Sequence, residues 1–524
     1  MKAYTSFSTR KTPQSEPIPG EHMIANNAGG YVYGLDPFKT LERFLILGSE
    51  GGTYYVAERK LTKDNALNVM RCIEADGKRA VDLIVKVSDK GLAPKNDPAI
   101  FALALAASAK DPATRAVALQ ALPKVCRIPT HLFHFIAYVR QFRGLGRGLK
   151  RALGDWYNQM PVEKLAYECV KYQSRDGWSN ADVLRLSHPK TADKARNAVY
   201  KWIVDGWSDA VDPAIPPIPA FEAAKTNPAD LTALILAANL SREMLPTEAL
   251  TKPEVWEALL EKMPLTAMIR NLGNMSKCGL LKPLSSASRL IIDRLHNDEL
   301  LHKARIHPIA VLIALKTYAS GRGVRGSGTW DAVSSVVDAL DDAFYLAFNN
   351  IQPTGKRFIV GVDVSGSMRR VGISGMPMSA AEGAAAMALA CIKTEQDYEI
   401  VCFDTKIVST PKLTKQMGLK QLEKEVCRMG GGTDCSQPML WATKNKIETD
   451  VFLILTDNET WAGAGHPSQV MRDYRNKINP SAKIINLGMT ATACTVNDPN
   501  DVNSLDIAGF DASVPQVISG FVKS

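Results

Sequence analysis

The chain has 524 residues, 46% of them hydrophobic and 22% charged, and its 63 Lys+Arg against 54 Asp+Glu give a formal net charge of +9. That length suits two to four domains with sizeable cores. The first residues lack a signal-peptide core, no apolar run is long enough to span a membrane, and the nine scattered cysteines form no Cys-x-x-Cys or His/Cys cluster. These features exclude a disulfide framework and a zinc finger, and they predict a cytoplasmic protein with reduced thiols.

Residues 1–30, with Pro13, Pro17, Pro19 and Gly20, read as an extended arm. From about Phe38 to Asn349 the apolar residues recur at helical spacing. Helices are predicted over 65–86, 98–109, 130–143, 162–172, 190–203, 228–240, 253–263, 284–296, 308–318 and 330–349. Several begin with a proline in the first turn, behind Asp97, Asn227 or Lys252. So many one-sided helices in series cannot share one globular core. Stacked antiparallel pairs, an α-solenoid, are the economical solution. No sharp repeat period is present, so an irregular all-α domain is the competing reading.

Residues 351–524 carry 18 Lys+Arg and 18 Asp+Glu, so the whole net charge lies in the first 350 residues. Two stretches concentrate it. Arg140-Gln-Phe-Arg-Gly-Leu-Gly-Arg-Gly-Leu-Lys-Arg151 has five cations, no acid and three glycines. Glycines let a backbone approach phosphate closely, and arginines bind phosphate bidentately. Residues 171–188 interleave Tyr172 and Trp178 with Lys171, Arg175, Arg185 and His188. Aromatic rings beside cations suit stacked bases and phosphates of single-stranded or looped RNA. The plainer alternative is a solvated basic face with its aromatic residues in the core. His302, Lys303, Arg305 and His307, with Arg322 and Arg325, make a weaker third patch.

A boundary falls near 350–356, marked by Pro353 and Gly355. Beyond it the pattern alternates: strand 357–363, helix 378–394, strand 398–403, helices 416–428 and 436–445, strand 451–456, helix 467–478, strands 482–487 and 504–509, and helix 513–522. This is a doubly wound α/β pattern.

The strand Arg357–Asp363 is short, apolar and rich in β-branched residues, as a buried parallel strand should be. It ends in Asp363, with Ser365 and Ser367 at alternate positions and Gly366 easing the turn. Gly430-Gly-Gly-Thr-Asp434 places Thr433 after a glycine turn, and Val451-Phe-Leu-Ile-Leu-Thr-Asp457 is a second buried strand ending in a carboxylate. One carboxylate with hydroxyls at a sheet's carboxyl edge suits a hard, oxygen-loving cation such as Mg²⁺. The three pieces in order resemble the metal-ion-dependent adhesion site of von Willebrand factor A domains. Carried over by position, the ligands are Asp363, Ser365, Ser367, Thr433 and Asp457.

Enzyme readings of the same stretch fail. A Gly-x-Ser-x-Gly elbow around Ser365 would need Gly where Asp363 stands. A phosphatase-type Asp-x-Asp loop would need a carboxylate at Ser365, and no Gly-x-x-x-x-Gly-Lys-Ser/Thr loop exists. Gly321-Arg-Gly-Val-Arg-Gly326 matches Gly-x-Gly-x-x-Gly but follows a helical pattern, so it reads as a basic loop. No paired acidic cluster supports a two-metal nuclease. No enzymatic activity is expected.

Longer motifs then accumulate. Leu41-Glu-Arg-Phe-Leu45, Gly48-Ser-Glu-Gly-Gly-Thr-Tyr-Tyr55, the segment from Pro123 to Phe133, Gly146-Arg-Gly-Leu-Lys-Arg151, Trp178-Ser with Leu184-Arg-Leu-Ser-His188, His307-Pro with Thr317-Tyr318, and Asn-Glu-Thr after Asp457 resemble the Ro autoantigen family of TROVE ring proteins, in particular its bacterial members. The resemblance covers nearly the whole chain. It implies a ring of HEAT-like helical repeats over residues 1–350, closed by a von Willebrand factor A domain over 356–524. It implies a protein that binds small Y RNAs on its outer face and takes single-stranded 3′ ends of misfolded RNA into a basic central hole. Exoribonucleases are the implied partners, tethered through the RNA, and a monomer is expected. Arg147, Lys150, Arg151, Lys171, Arg175 and His188 are the residues implied at RNA, and Mg²⁺ the ion at the adhesion site. The competing function is a metal-dependent protein-interaction scaffold without RNA.

Overall fold

The computed structural model describes residues 11–49, 58–346 and 353–523, apart from 94, 207–214, 216, 227, 305, 307, 324–327, 371–377, most of 413–430 and 510–513. In the arm, β1 (Met23–Ala25) turns back through residues 26–30 into β2 (Tyr31–Gly34). Helices follow without a break in kind: α1 (Pro37–Leu47), α2 (Glu58–Ala75), α3 (Gly77–Asp89), α4 (Asp97–Ala106), α5 (Pro112–Val125), α6 (Pro129–Phe142), α7 (Arg147–Gln159) and α8 (Val162–Lys171). A two-strand hairpin, β3 (Ser174–Arg175) and β4 (Trp178–Ser179), interrupts them. Then come α9 (Asn180–Ser187), α10 (Lys194–Asp205), α11 (Pro217–Thr226), α12 (Leu231–Ala238), α13 (Pro253–Lys262), α14 (Leu265–Lys277), α15 (Ser286–Leu295), α16 (Asp298–Lys303), α17 (Pro308–Ala319) and α18 (Ser334–Leu346).

Local chemistry explains where these helices start. Asp36 accepts from the amides of Phe38 and Lys39, and Asp111 from those of Ala113 and Thr114, each just ahead of a proline in the first turn. The single helix expected over 65–86 is two helices. Asp76 breaks it by accepting from the Arg79 amide, and Gly77 lies so close to Thr114 that a Cβ there would sit 2.0 Å from its hydroxyl. Helix periodicity overlooked α1, α5, α7, α9, α11, α14 and α16. Pro123 inside α5 interrupts the apolar pattern there, whereas α7 and α14 carry regular apolar spacing that was passed over. The helix expected from 330 begins only at Ser334, because Trp330 is stacked on Tyr318 instead.

The main helix–helix packings join neighbours no more than three positions apart: α3 on α5, α4 on α6, α5 on α7, α7 on α9, α8 on α10 and α11, α12 on α13, α14 on α17, and α15 on α18. Sequential stacking of this kind is the solenoid solution.

The sheet domain runs β5 (Arg357–Asp363), α19 (Gly366–Arg370), α20 (Ala380–Thr394), β6 (Asp397–Phe403), β7 (Ile407–Ser409), α21 (Gln437–Asn445), β8 (Val451–Thr456), α22 (Pro467–Lys477), β9 (Lys483–Gly488), β10 (Cys494–Thr495), β11 (Ser504–Ala508) and α23 (Val514–Lys523). The helix expected over 416–428 falls almost wholly outside the described residues. The strand order is β11-β9-β8-β5-β6-β7, parallel except for the edge strand β7. Alternate residues serve opposite faces. Phe358, Val360 and Val362 join the core that continues from the helical array, whereas Ile359, Phe452 and Ile454 pack with α21 and α22. The arm belongs to this domain too, since β2 pairs with β10.

Both ends of the helical array are fastened to the sheet domain, which closes the array into a ring. At the first end Arg43 of α1, 1% exposed, donates to the carbonyls of Thr492 (3.1 Å) and Cys494 (2.6 Å) and pairs with Asp506. At the second, Lys316 of α17 lies 2.5 Å from Glu382 and 2.7 Å from Glu423. Removing one member of a buried ion pair leaves the other charge uncompensated, at a cost of about 3–5 kcal/mol. Arg43→Ala is therefore expected to destabilise the protein by about that much in urea unfolding, and Lys316→Ala, at a partly exposed seam, by about 1 kcal/mol or less.

Candidate functional site

In the sheet order, the chain leaves β5 toward β6 on one side and later fills β8, β9 and β11 on the other. The strand order therefore reverses between β5 and β8, which is where open α/β sheets place their sites. Asp363 ends β5 and Asp457 immediately follows β8, so two carboxylates meet at that crevice. Neither reaches solvent: Asp363 is 0% and Asp457 1% exposed.

The loops bring the other expected ligands to them. The Ser365 amide donates to Asp363 Oδ1 (2.9 Å), and the Ser365 and Ser367 hydroxyls lie 3.1 Å apart. Ser367 hydrogen-bonds the Asp457 carboxylate. Thr456 Oγ1 donates to Asp363 Oδ2 (2.7 Å), and the Glu459 amide to Asp457 Oδ1 (3.1 Å). Gly366 donates to the Gly431 carbonyl at 3.3 Å, which ties the serine loop to the loop bearing Thr433. Thr433 is itself fully buried, and its carbonyl accepts from the amides of Trp461 (3.0 Å) and Ala462 (3.1 Å).

Two buried oxygens of the expected ligand set have no hydrogen-bond partner among the described residues: Thr433 Oγ1 and Asp457 Oδ2. A sealed acceptor without a donor is costly unless something else satisfies it. Among the described residues no three His, Cys, Asp or Glu side chains converge on a metal. The donor set here is instead two carboxylates with three hydroxyls, all hard oxygens, and it fits a divalent cation that retains water or an outside ligand. Burial raises the pKa of both aspartates, and for Asp363 the charge of Asp457 adds to the effect, against the hydrogen bonds from Ser365 and Thr456. Glu459 is pushed up to about 7, chiefly by burial.

The supporting residues were not visible in the sequence pattern. Asp404, 7% exposed, accepts from the Gly431 amide (2.9 Å) and so holds the glycine turn. From the arm, Gln14 donates to Asp434, and Asn27 donates through its backbone and side chain to Glu459. Residues 1–30 read as an extended arm, and neither the hairpin that β1 and β2 form nor its partners in the sheet domain were expected.

The six residues expected at RNA lie on adjoining elements of the helical array. Arg147, Lys150 and Arg151 occupy the first turns of α7, whose N-terminus has no side-chain cap, so its amides remain free for an anion. His188 is exposed at the end of α9 with left-handed backbone (φ 44°), and its neighbours Ser187 and Pro189 touch Gly154 of α7. Arg175 stands out on β3, 61% exposed, 3.8 Å from Asp176. Lys171 ends α8 over the rings of Tyr167 (5.7 Å) and Tyr172 (5.2 Å). The hairpin is pinned to α6 by the His134–Asp176 pair and by Arg140 lying 5.5 Å from the Trp178 ring. Trp178 is half-buried, packed against the core with Arg140 near its ring. Among the described residues no carboxylate is ion-paired to Arg147, Lys150, Arg151 or His188. Of the third patch, Arg305, His307 and Arg325 lie outside the described residues, and His302 pairs with Asp298.

Comparison with known proteins gives the same two-part division. A model described as the TROVE domain matches residues 24–211 and 234–317, and one described as the Ro60 vWA domain matches 357–522. The chain is 40% identical over 522 residues to the RNA-binding protein RO60 of Deinococcus radiodurans, covering 98% of this chain and 97% of that one. It is 34% identical over 595 residues to the RNA-binding protein RO60 of Caenorhabditis elegans, covering 98% and 92%. The crystal structure of the Deinococcus radiodurans Ro protein superposes with a TM-score of 0.72 over 93% of this chain and 99% of that chain.

The buried carboxyls predict a pH effect. A carboxyl whose folded-state pKa is raised binds its proton more tightly in the folded state. Its stabilising contribution is full below the ordinary carboxylate range and is lost as pH rises through the folded value. Protein stripped of divalent cations with EDTA is therefore expected to melt at progressively lower temperature as pH rises from about 5 to about 8. Asp363→Asn, which removes one of the two buried charges, should flatten that dependence.

Proposed function

Because this chain belongs to the Ro family, a TROVE domain joined to a Ro60-type von Willebrand factor A domain, we propose that it is an RNA-binding protein whose helical ring captures RNA by charge without chemical catalysis. The observation that carries this reading is the set of unpaired cations at the uncapped start of α7 beside the exposed His188. Arg147, Lys150 and Arg151 there, with Lys171 and Arg175 nearby in the chain, are placed to neutralise phosphates of a small structured RNA of the Y RNA class on the outer face. Single-stranded 3′ ends of misfolded RNA would enter the ring's hole, where width rather than base sequence selects. Action with exoribonucleases in RNA quality control, in the cytoplasm, completes the proposal.

At the adhesion site we assign Asp363, Ser365, Ser367, Thr433 and Asp457 to a divalent cation, Mg²⁺ by preference. Hard oxygen donors and the two orphaned oxygens favour this assignment. When bound, the ion would offset the two carboxylate charges and present an open coordination position. The chain's own hydroxyls and amides hold the carboxylates in place for it.

Gel shift against a hairpin RNA with a single-stranded tail tests the RNA reading. Lys171→Ala and His188→Ala are each expected to weaken binding about 10-fold, as for a lost hydrogen bond to a charged group. Log affinity should fall linearly with log salt, and each lost phosphate contact should reduce the slope by about 0.7–0.9. Asp363→Ala should leave RNA affinity intact. Absence of RNA binding at low salt would refute the reading and favour a metal-dependent protein scaffold instead.

A further inference from the structure

The arm meets the carboxylate site through side chains that RNA binding does not use. Gln14 is fully buried, and both ends of its amide are engaged. Its Nε2 donates to Asp434 Oδ1 (2.7 Å) and to the Gly465 carbonyl (2.9 Å), and its Oε1 accepts from Thr460 Oγ1 (2.5 Å). Thr460 Oγ1 in turn accepts from the Cys435 amide (3.1 Å). Asn26 Nδ2 donates to the Thr460 carbonyl (2.7 Å). Asn27 donates to Glu459 from its backbone amide and from Nδ2, both at 2.8 Å, and the Ala28 amide adds a third bond at 3.1 Å. Gly30 has no room for a side chain, since a Cβ would come within 2.1 Å of the Thr460 carbonyl.

Apart from the bond to the Gly465 carbonyl, these bonds fall on two short segments, 433–435 and 457–460, which bear Thr433 and Asp457. The same two residues own the unpartnered oxygens. The loop after Asp457 also holds Asn458 at φ 70°, a backbone shape that its neighbours must enforce. Among the described residues, the hydrogen bonds to the Glu459 carboxylate all come from Asn27 and Ala28 of the arm.

We propose that Gln14 and Asn27 are positioning residues of the divalent-cation site, so that cation affinity depends on the docked arm and docking of the arm depends on the cation. The inference rests on the cation assignment made above. Neither residue ligates the ion. They act through Asp434, Thr460 and Glu459 on the two ligands those segments bear. Coupling of this kind is reciprocal, because each partner must stabilise the state that the other prefers. Residues bonded behind metal ligands change affinity by about 10–100-fold when removed.

Mn²⁺ titration of the full chain, read by the electron paramagnetic resonance signal of free Mn²⁺, tests it. The wild type should bind one ion, and Gln14→Ala and Asn27→Ala should each bind it at least about 10-fold more weakly, with tailed-hairpin RNA affinity unchanged. Equal Mn²⁺ affinity in wild type and Asn27→Ala overturns the proposal while leaving the cation assignment standing. No Mn²⁺ binding by the wild type overturns both. Because Gln14→Ala could loosen the arm broadly, a second measurement is made without touching it. Amide hydrogen exchange over residues 12–34 should slow when Mg²⁺ is added to the wild type and stay unchanged in Asp363→Ala. Exchange indifferent to Mg²⁺ in a wild type that binds Mn²⁺ also overturns the proposal.

Discussion

Two carboxylates excluded from water at the ends of adjacent parallel strands are the constraint around which the sheet domain is arranged. Their mutual repulsion cannot be screened by solvent, since Asp363 and Asp457 are both sealed. Neighbouring groups supply something in answer: the Ser365 amide, the hydroxyl of Thr456 at the end of β8, and the Glu459 amide. The remaining deficit sits on Asp457 Oδ2 and on Thr433 Oγ1, two buried oxygens without a hydrogen-bond partner among the described residues. A fold that merely needed stability would have replaced such a pair with apolar residues.

The helical array presents the complementary case. Its charge is placed where water and ions reach it, on the first turns of α7, on the β3–β4 hairpin and at the left-handed end of α9. Exposed cations of this sort contribute little to stability. Arg175 has Asp176 beside it, whereas among the described residues no carboxylate is ion-paired to the cations of α7 or to His188. The two halves of the molecule therefore divide the work by dielectric: buried oxygen in the sheet domain and solvated nitrogen on the helices.

Much of this was legible in the residues because the relevant signals are local. Asp363 and Asp457 each end an apolar run of strand length, so the two buried strands and the carboxylates at their ends could be read together. The helical character of the first part was equally plain, but its divisions were not. One stretch read as a single helix is split at Asp76, since Gly77 must clear Thr114, a residue distant in sequence. The arm was misjudged in importance for the same reason. Gln14 finds its partner Asp434 420 positions away, and no short-range pattern can announce that pairing. Trp178 looked like a stacking surface beside cations, yet Arg140 already occupies its ring. A cation near an aromatic residue in sequence is as readily its internal partner as its neighbour at a ligand.

The attachment of both helical ends to one sheet has a further consequence. An open array of stacked helices exposes an apolar face at each extremity and requires specialised terminal repeats to cover it. Here the stack has no extremities. Leu41 and Leu312, from near its two ends, belong to the same continuous core as Val360 of the sheet. The sheet domain is thus the shared lid for both faces, and truncating it would expose both at once, turning a closed circle into a two-ended adhesive.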